Sequence, residues 1–155
     1  MEATRPDLPA IKRLLGNFVG KKVWGVKLSV AWLSIELGSA WVDLIERVER
    51  GEGTLLISCS WKLDVPGKQR ITSKMEQTQQ WCRSTETSLE GKTLIDHSLS
   101  EITHELALKF KDGTELCVTP RGKSSLDEWT LFFRVSKDQR SLVTFNGSTI
   151  SYDDY

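Results

Sequence analysis

Residues 90–120 carry the clearest structural signal in the chain and read EGKTLIDHSLSEITHELALKFKDGTELCVTP. Within this stretch, apolar and polar side chains alternate over residues 106–110 and again over residues 114–118. Alternation with a period of two is typical of a β-strand that buries one face. The two runs are joined through Asp112-Gly113, a pair that favours the tight turn of a hairpin. The stretch therefore predicts two paired antiparallel strands.

Similar alternating runs on both sides of this hairpin predict further strands. They cover residues 22–29, 31–37, 54–63 and 129–135, and a last hairpin pairs 141–145 with 148–152 through Asn146-Gly147. Residues 54–63 read as one strand, because every second residue from Leu55 to Leu63 is apolar or aromatic.

Two short helices are expected beside these strands, and one further segment is ambiguous. Residues 8–15 place leucine and isoleucine at helical spacing, which predicts a helix near the start of the chain. Ser73 and Glu76 have the spacing of a capping box, so a second short helix is predicted after them. Residues 39–50 fit both a helical stripe and an interrupted strand, and we interpret them as a helix.

An internal repeat is indicated by two similar Gly-Lys pairs, each of which leads into a strand-like run. Gly20-Lys21 recurs as Gly91-Lys92, an offset of 71 residues (91 − 20 = 71). A repeat sets the architecture of a fold, and two copies are too few for a solenoid. The alternative is a chance match of a common pattern. The order and spacing of several elements agree, which favours the repeat.

These patterns predict an α+β fold over a single domain, residues 1–155. A chain of 155 residues suits one domain. We expect a mostly antiparallel sheet made from two related β-units, half-barrel or sandwich-like, with one or two short helices. The units cover approximately residues 18–63 and 89–146, and a polar linker, residues 64–88, joins them.

Composition and cysteine content indicate a cytoplasmic protein. Lysine plus arginine equals aspartate plus glutamate, 21 each, which argues against a dedicated nucleic-acid binder. The three cysteines, Cys59, Cys82 and Cys117, are an odd number and form no Cys-x-x-Cys pair, which fits a reducing compartment. No signal peptide and no long apolar run is present, so no membrane association is expected.

The sequence contains no recognisable catalytic motif, so we expect a protein that is not an enzyme. Glycine-rich phosphate loops and the Gly-x-Ser-x-Gly elbow are absent from it. His97 and His104 are the only histidines, and no cysteine lies within four residues of either, which disfavours a metal site. The expectation is therefore no catalytic residues, no metal and no cofactor.

Six tryptophans suggest where a partner could bind. Trp24, Trp61 and Trp129 lie in strand-like runs and are expected in the core. Tryptophan is enriched in binding hot spots, so the less securely placed tryptophans are candidates for a contact surface. The polar segment adds basic residues to them. The predicted binding residues are Trp32, Lys74, Trp81 and Arg83.

Two other kinds of function remain open at this stage. A small-ligand-binding protein or enzyme would use a pocket between the two β-units, with Cys82, His97 or His104 converging on it. A nucleic-acid binder would use the basic residues of 62–83, but Asp64 and Glu76 dilute their charge, which disfavours this alternative.

Several strand motifs recur along the chain. The second half contains Gly91-Lys-Thr-Leu, Leu106-x-Leu-x-Phe-x-Asp-Gly, Leu116-x-Val-x-Pro and Glu128-Trp129-x-Leu131, and the first half contains Leu33-x-Ile-x-Leu-Gly38 and Leu55-x-Ile-x-Cys59-x-Trp61-x-Leu63. These motifs resemble a family of small bacterial β-rich proteins of unknown function. The resemblance implies bacterial origin and brings no catalytic residues. By analogy, it suggests an immunity protein that neutralises a toxin, hence a non-catalytic cytoplasmic protein with a protein partner. The oligomeric state is not indicated.

Overall fold

The computed structural model describes residues 8–43, 47–100, 102–120, 129–136, 139–145 and 150–154. The predicted turn at Asn146-Gly147 lies outside these residues. In chain order the elements are α1 (Leu8–Gly16), β1 (Val23–Leu28), β2 (Leu33–Leu37), β3 (Trp41–Asp43), β4 (Val48–Arg50), β5 (Gly53–Ile57), β6 (Ser60–Asp64), β7 (Ile71–Thr72), α2 (Gln79–Leu89), β8 (Leu94–Leu99), β9 (Leu106–Phe110), β10 (Glu115–Thr119), β11 (Trp129–Ser136), β12 (Gln139–Phe145) and β13 (Ile150–Asp154).

The strands form two large antiparallel sheets and one small one. The first sheet has the order β1-β2-β5-β11-β12-β13, and the second has the order β7-β6-β10-β9-β8. The pair β3-β4 stands apart as a two-stranded sheet. The prediction of a β-rich α+β fold with mostly antiparallel strands and short helices is therefore confirmed.

The hairpin predicted from residues 106–118 is present as β9 and β10. Leu116 pairs with Leu108, and Val118 pairs with Leu106, so the apolar residues of both strands share one face. Gly113 has a positive φ of 92°, a backbone conformation that glycine adopts at little cost. The local sequence pattern is thus sufficient to specify this part of the fold.

Residues 54–63, predicted as one strand, form two strands in different sheets. β5 ends at Ile57, and β6 begins at Ser60 after a short crossing through Ser58 and Cys59. Leu55, Ile57, Cys59, Trp61 and Leu63 are nevertheless all buried, because both strands turn the same alternating residues towards one core. The prediction of a single strand was wrong because period-two alternation continues unbroken through the crossing.

Residues 39–50, interpreted as a helix, contain the hairpin of β3 and β4 instead. Trp41 pairs with Arg50, and Val42 pairs with Glu49, while residues 44–46 lie outside the described residues. The Trp41 indole donates a hydrogen bond to the Gly51 carbonyl (2.7 Å), which holds the hairpin against the chain that enters β5. The helical stripe misled the prediction because Trp41 and Val48 have helical spacing although they belong to two separate short strands, with Val48 paired to Asp43.

The polar segment 64–88 contains β7 and most of α2. The helix predicted after Ser73 is present, but it begins at Gln79. Its N-cap is Thr78, whose hydroxyl accepts a hydrogen bond from the Trp81 amide (3.1 Å). The buried face of α2 carries Trp81, Thr85, Ser88 and Leu89, which have helical spacing.

One hydrophobic core draws side chains from both large sheets and from both helices. Its residues come from β1, β2, β5, β6 and β8 to β11, and Trp129, Phe110 and Ile11 are among the largest side chains that are fully buried. Trp61 and Trp129 are buried as expected, whereas Trp24 is only partly buried and donates to the Gly38 carbonyl (2.6 Å). Helix α1 contacts β8, and helix α2 contacts β1.

The starts of β1 and β8 are joined by backbone hydrogen bonds whose donors and acceptors recur 71 residues apart. Gly20 and Gly91, both with positive φ, lead into this junction. The four bonds run from Gly20 N to Leu94 O (2.7 Å), from Gly91 N to Val23 O (2.8 Å), from Val23 N to Lys92 O (2.8 Å) and from Leu94 N to Lys21 O (2.9 Å). Each bond therefore has a counterpart in the other half of the chain.

The two lysines that follow these glycines form corresponding ion pairs. Lys21 pairs with Glu52 just before β5 (3.2 Å), and Lys92 pairs with Asp112 shortly before β10. The Lys92 hydrogen bond, together with one from the Thr114 backbone, lowers the pKa of Asp112 to about 2. Both pairs are partly exposed, so each contributes at most about 1 kcal/mol to stability.

We expect Asp112→Asn to remove a small, pH-dependent part of the stability. The pKa of Asp112 is about 2 in the folded protein against an ordinary value of 3.8, so the pair stabilises at neutral pH and ceases to do so as pH falls towards 2. The asparagine oxygen keeps the acceptor for Thr114. Urea unfolding at neutral pH should show a loss of at most about 1 kcal/mol. An equal loss near pH 2 would contradict this origin.

Candidate binding site

A pocket of about 210 Å³ opens where the β1–β2 turn, the crossing from β5 to β6 and residues 73–77 meet. Three tryptophans line it, Trp32, Trp61 and Trp81. Its polar lining is mostly hydroxyl and amide, with one cation, and consists of Ser29, Ser58, Ser60, Ser73, Gln77 and Lys74. An aromatic pocket with a few polar groups is the usual composition of a binding site.

The floor of this pocket is a stacked pair of tryptophans. The rings of Trp61 and Trp81 lie 5.8 Å apart between centroids at an interplanar angle of 28°. Both residues are buried, and the Trp81 indole donates to the Thr72 carbonyl (3.0 Å). Stacking and this hydrogen bond fix both rings, so a ligand would meet a surface that is already formed.

The wall formed by residues 73–77 is tied to both neighbouring parts of the site. Ser73 and Trp61 exchange two hydrogen bonds, one from the Ser73 amide to the Trp61 carbonyl and one from the Trp61 amide to the Ser73 hydroxyl, both 3.0 Å. The Gln77 side chain donates to the Val30 carbonyl (3.3 Å). These bonds hold Lys74 at the mouth of the pocket although it lies outside any helix or strand.

The β1–β2 turn forms an exposed apolar rim. Val30 is 85% exposed and Trp32 is 38% exposed. The turn itself is well bonded, because the Ser29 amide donates to the Trp32 carbonyl (2.9 Å) and the Ser29 hydroxyl accepts from the Ala31 amide (3.2 Å). A defined turn therefore presents two apolar side chains to solvent beside the pocket.

Three of the four predicted binding residues meet at this pocket. Trp32, Lys74 and Trp81 all line it, although they come from three separate segments of the chain. Arg83 is exposed on α2 and does not line it. Arg83 follows Trp81 by two residues on the helix, so the two side chains point in different directions.

Sequence reasoning missed Trp61, Gln77 and the serines of the pocket. Trp61 was predicted as a core residue, and its burial agrees with that, but its ring also forms the pocket floor. Gln77 carries no sequence signal of its own. The serines of residues 58 and 60 lie on the polar side of an alternating run, which identifies a solvent-facing position but no site.

A second pocket, of about 410 Å³, adjoins the first. The two share Ser60, Trp61, Ser73 and Lys74. The second pocket adds Lys62, Thr72, Thr119 and Pro120. Among the described residues, no aspartate or glutamate lines either pocket. The combined surface, which we call the tryptophan groove, is therefore aromatic, rich in hydroxyls and positively charged.

The residues suggested for a catalytic or small-ligand pocket, Cys82, His97 and His104, line neither part of the tryptophan groove. Burial raises the pKa of the Cys117 thiol to about 11, and the neighbouring Glu115 adds to this effect, so the thiol is protonated at neutral pH. The described geometry thus offers no activated thiol at this position.

Among the described residues there is neither a metal-binding cluster nor a membrane-spanning helix. No group of three or more His, Cys, Asp or Glu side chains is close enough to hold a metal ion within this part of the chain. Nor does any helix in the described ranges have the length and apolar character needed to cross a membrane.

Fold and site together define a β-rich α+β protein with an aromatic, cationic groove at a crossing between two sheets. Comparisons with protein-family models, with curated proteins and with solved structures find no match.

Proposed function

We propose that this chain is a non-catalytic protein-binding protein whose tryptophan groove receives side chains of a protein partner. The observation that carries the proposal is the meeting of Trp32, Lys74 and Trp81 at one pocket beside an exposed apolar turn. Partly exposed tryptophans beside well-packed pockets are typical of the energetic centres of protein interfaces.

The adjoining second pocket, at about 410 Å³, is as large as a site for a drug-sized ligand, which usually measures about 300–1,000 Å³. The first pocket, at about 210 Å³, is smaller and matches a side chain of a protein partner. A single large side chain would fill it against the stacked rings of Trp61 and Trp81. The exposed Val30 and Trp32 would then cover the neighbouring part of the partner.

The fixed geometry of the groove supports tight binding. The stacked rings are buried, and the bonds of Ser73 and Gln77 hold the opposite wall. Ordering a loop or a long side chain on binding costs about 0.5–1.5 kcal/mol for each side chain immobilised. A groove that is ordered beforehand avoids most of that cost on its own side of the interface.

The proposal extends to how the fold builds the groove. We propose that residues 18–63 and 89–146 are related β-units within one domain, arranged in a sandwich-like or half-barrel form. The corresponding bonds of Gly20 and Gly91 support this, as do the corresponding ion pairs. So does the strand order, because β6 leaves β5 to join the other unit's β10, while β11 leaves β10 to join β5. The groove would then form at one of these two crossings.

The most specific form of the proposal is a cytoplasmic immunity protein whose partner is a bacterial toxin. This form depends on the resemblance of the strand motifs to small bacterial β-rich proteins. The three cysteines, none of which is in a disulfide, fit a reducing compartment. An exposed aromatic rim beside a fixed pocket is a surface that could cover a toxin's functional site.

The proposal is tested by capturing partners from a lysate with the wild-type chain and with Trp32→Ala. Trp32 is on the rim and partly exposed, so its loss should leave the fold intact and weaken binding at least about tenfold. The matched control is Arg83→Ala, which alters an exposed residue outside the groove and should leave capture unchanged. The captured partner is then purified and titrated into each chain. Equal affinity for the wild-type chain and for Trp32→Ala would contradict the proposed site.

A further inference from the structure

We infer that the tryptophan groove recognises an acidic segment of its partner, with a carboxylate held between Lys62 and Lys74 and a neighbouring side chain in the pocket floored by Trp61 and Trp81. This inference rests on the proposed function and specifies the chemistry of the partner. It is supported by the positive charge of the groove and by the contacts of Lys62 and Lys74.

The two lysines line the same surface from different segments. Lys62 lies in the middle of β6, and Lys74 lies in the segment that Ser73 ties to that strand. Both line the second pocket, and Lys74 also lines the first. The cationic part of the groove is therefore continuous with its aromatic part.

Neither lysine has a partner for its charge within the described residues. No hydrogen bond or ion pair of either ammonium group occurs there, and no carboxylate lines the groove. On the neighbouring edge, by contrast, Arg70 is bonded to Asp64 at 2.6 Å. The groove therefore presents two lysine ammonium groups that form no ion pair with another described residue, and their charge makes a negative ligand group favourable.

The carboxylates on adjacent strands are engaged in other contacts. Glu105 accepts a hydrogen bond from the Thr119 hydroxyl (3.3 Å), and Glu115 accepts one from the Cys117 thiol (3.3 Å). Neither Glu105 nor Glu115 forms an ion pair with Lys62 or Lys74 among the described contacts, although both carboxylates and Lys62 act electrostatically on the Cys117 thiol. The hydroxyls of Ser60 and Thr72 line the same pocket and can donate to a second carboxylate oxygen.

An extended acidic peptide fits this arrangement better than a nucleic acid. Residues of an extended chain alternate in direction, so a carboxylate and a large apolar side chain that are close in sequence can enter adjacent pockets. A single-stranded nucleic acid would need a series of exposed aromatic rings along a basic track. Here two of the three rings are buried in one stack, and only Trp32 is on the rim.

The test is selection of a random-peptide display library on the immobilised full chain, with Lys62→Glu/Lys74→Glu as the parallel bait. We expect the wild-type chain to enrich peptides that contain aspartate or glutamate close to an aromatic or large aliphatic residue. Synthetic copies of those peptides should bind the double variant at least about tenfold more weakly. Lys62→Gln/Lys74→Gln provides a second variant without reversed charge, and Arg83→Glu is the matched charge control that should retain binding.

The possible outcomes separate this inference from the proposed function. Enrichment of neutral or basic peptides would overturn the acidic specificity while leaving protein binding intact. Failure to enrich any peptide would count against both proposals. If the acidic peptides bind but the two lysine variants bind them as tightly as the wild type, the assigned role of the lysines is wrong. If an oligothymidine of about 20 nucleotides binds more tightly than any selected peptide, with affinity that falls steeply with salt, the ligand class is wrong.

Discussion

Replacing Trp129 by alanine is expected to lower the free energy of unfolding by about 3–5 kcal/mol, the usual cost of removing a fully buried large aromatic side chain. Trp129 is 0% exposed and lies at the start of β11, opposite Ile57 of β5 and Phe145 of β12. The core around the indole is close-packed, so the neighbouring side chains cannot fill the cavity that its removal would leave. Urea denaturation followed by circular dichroism measures the loss.

The matched control for this prediction is Trp32→Ala. The residue type is the same, but Trp32 is 38% exposed and lies on the rim of the groove. We expect the free energy of unfolding to fall by less than about 1 kcal/mol, because removing a partly exposed side chain leaves little buried cavity. If the two alanine variants unfolded at the same urea concentration, the division between a core tryptophan and a binding tryptophan would be wrong.

Gly51→Ala is expected to cost about 1–3 kcal/mol or more, because the added methyl group has no space. A Cβ at this position would lie 2.6 Å from the Leu37 carbonyl oxygen and 2.8 Å from the Leu37 amide nitrogen. Both are backbone atoms of a central strand and cannot rotate away. The Gly51 amide also donates to the buried Glu36 carboxylate (2.9 Å), so any shift that relieved the contact would weaken this bond.

Gly16→Ala is the control for this substitution. At Gly16, the last residue of α1, a Cβ would meet only the His97 ring nitrogen at 3.6 Å, an ordinary contact. Alanine is a better helix former than glycine, so this variant should be neutral or more stable by up to about 1 kcal/mol. Thermal or urea unfolding of the two variants gives the comparison. If Gly51→Ala were as stable as the wild type, the backbone between β4 and β5 would have to follow a different path from the one described.

Strands with unbroken local alternation could be predicted from the sequence, and the connections between sheets could not. The hairpin of β9 and β10 follows from alternation and from a glycine with positive φ. The crossing at Ser58 and Cys59 leaves no trace in the pattern, since both flanking strands face the same core. The period of the hydrophobic pattern indicates which residues are buried, but it does not indicate which sheet a strand joins.

The error at residues 39–50 has a related cause. Trp41 and Val48 fit one face of a helix, but they belong to the two strands of the β3–β4 hairpin, where Trp41 is paired with Arg50 and Val48 with Asp43. The Trp41 bond to the Gly51 carbonyl is a tertiary contact with no sequence signature. In short apolar segments, such contacts override local helical preference.

The site could be predicted in part because binding surfaces have a characteristic composition. Trp32 and Trp81 were predicted as tryptophans outside the expected core, and Lys74 as a basic residue of the polar segment. Nothing in the sequence indicated that the three meet. Their meeting depends on the Ser73–Trp61 bonds and the Gln77–Val30 bond, which join segments distant in sequence. Arg83 was predicted from its charge, and it lies on α2 outside the lining of the groove.

Hydrogen–deuterium exchange on the chain, alone and with the captured partner, would locate the binding surface. If the tryptophan groove is the binding site, the partner should slow exchange at residues 29–32 and 72–77, which form its rim and one of its walls. The β3–β4 hairpin, whose Val42 and Val48 are also exposed, should exchange at the same rate in both samples. Protection at the hairpin with none at residues 29–32 and 72–77 would contradict the assignment of the groove as the binding site.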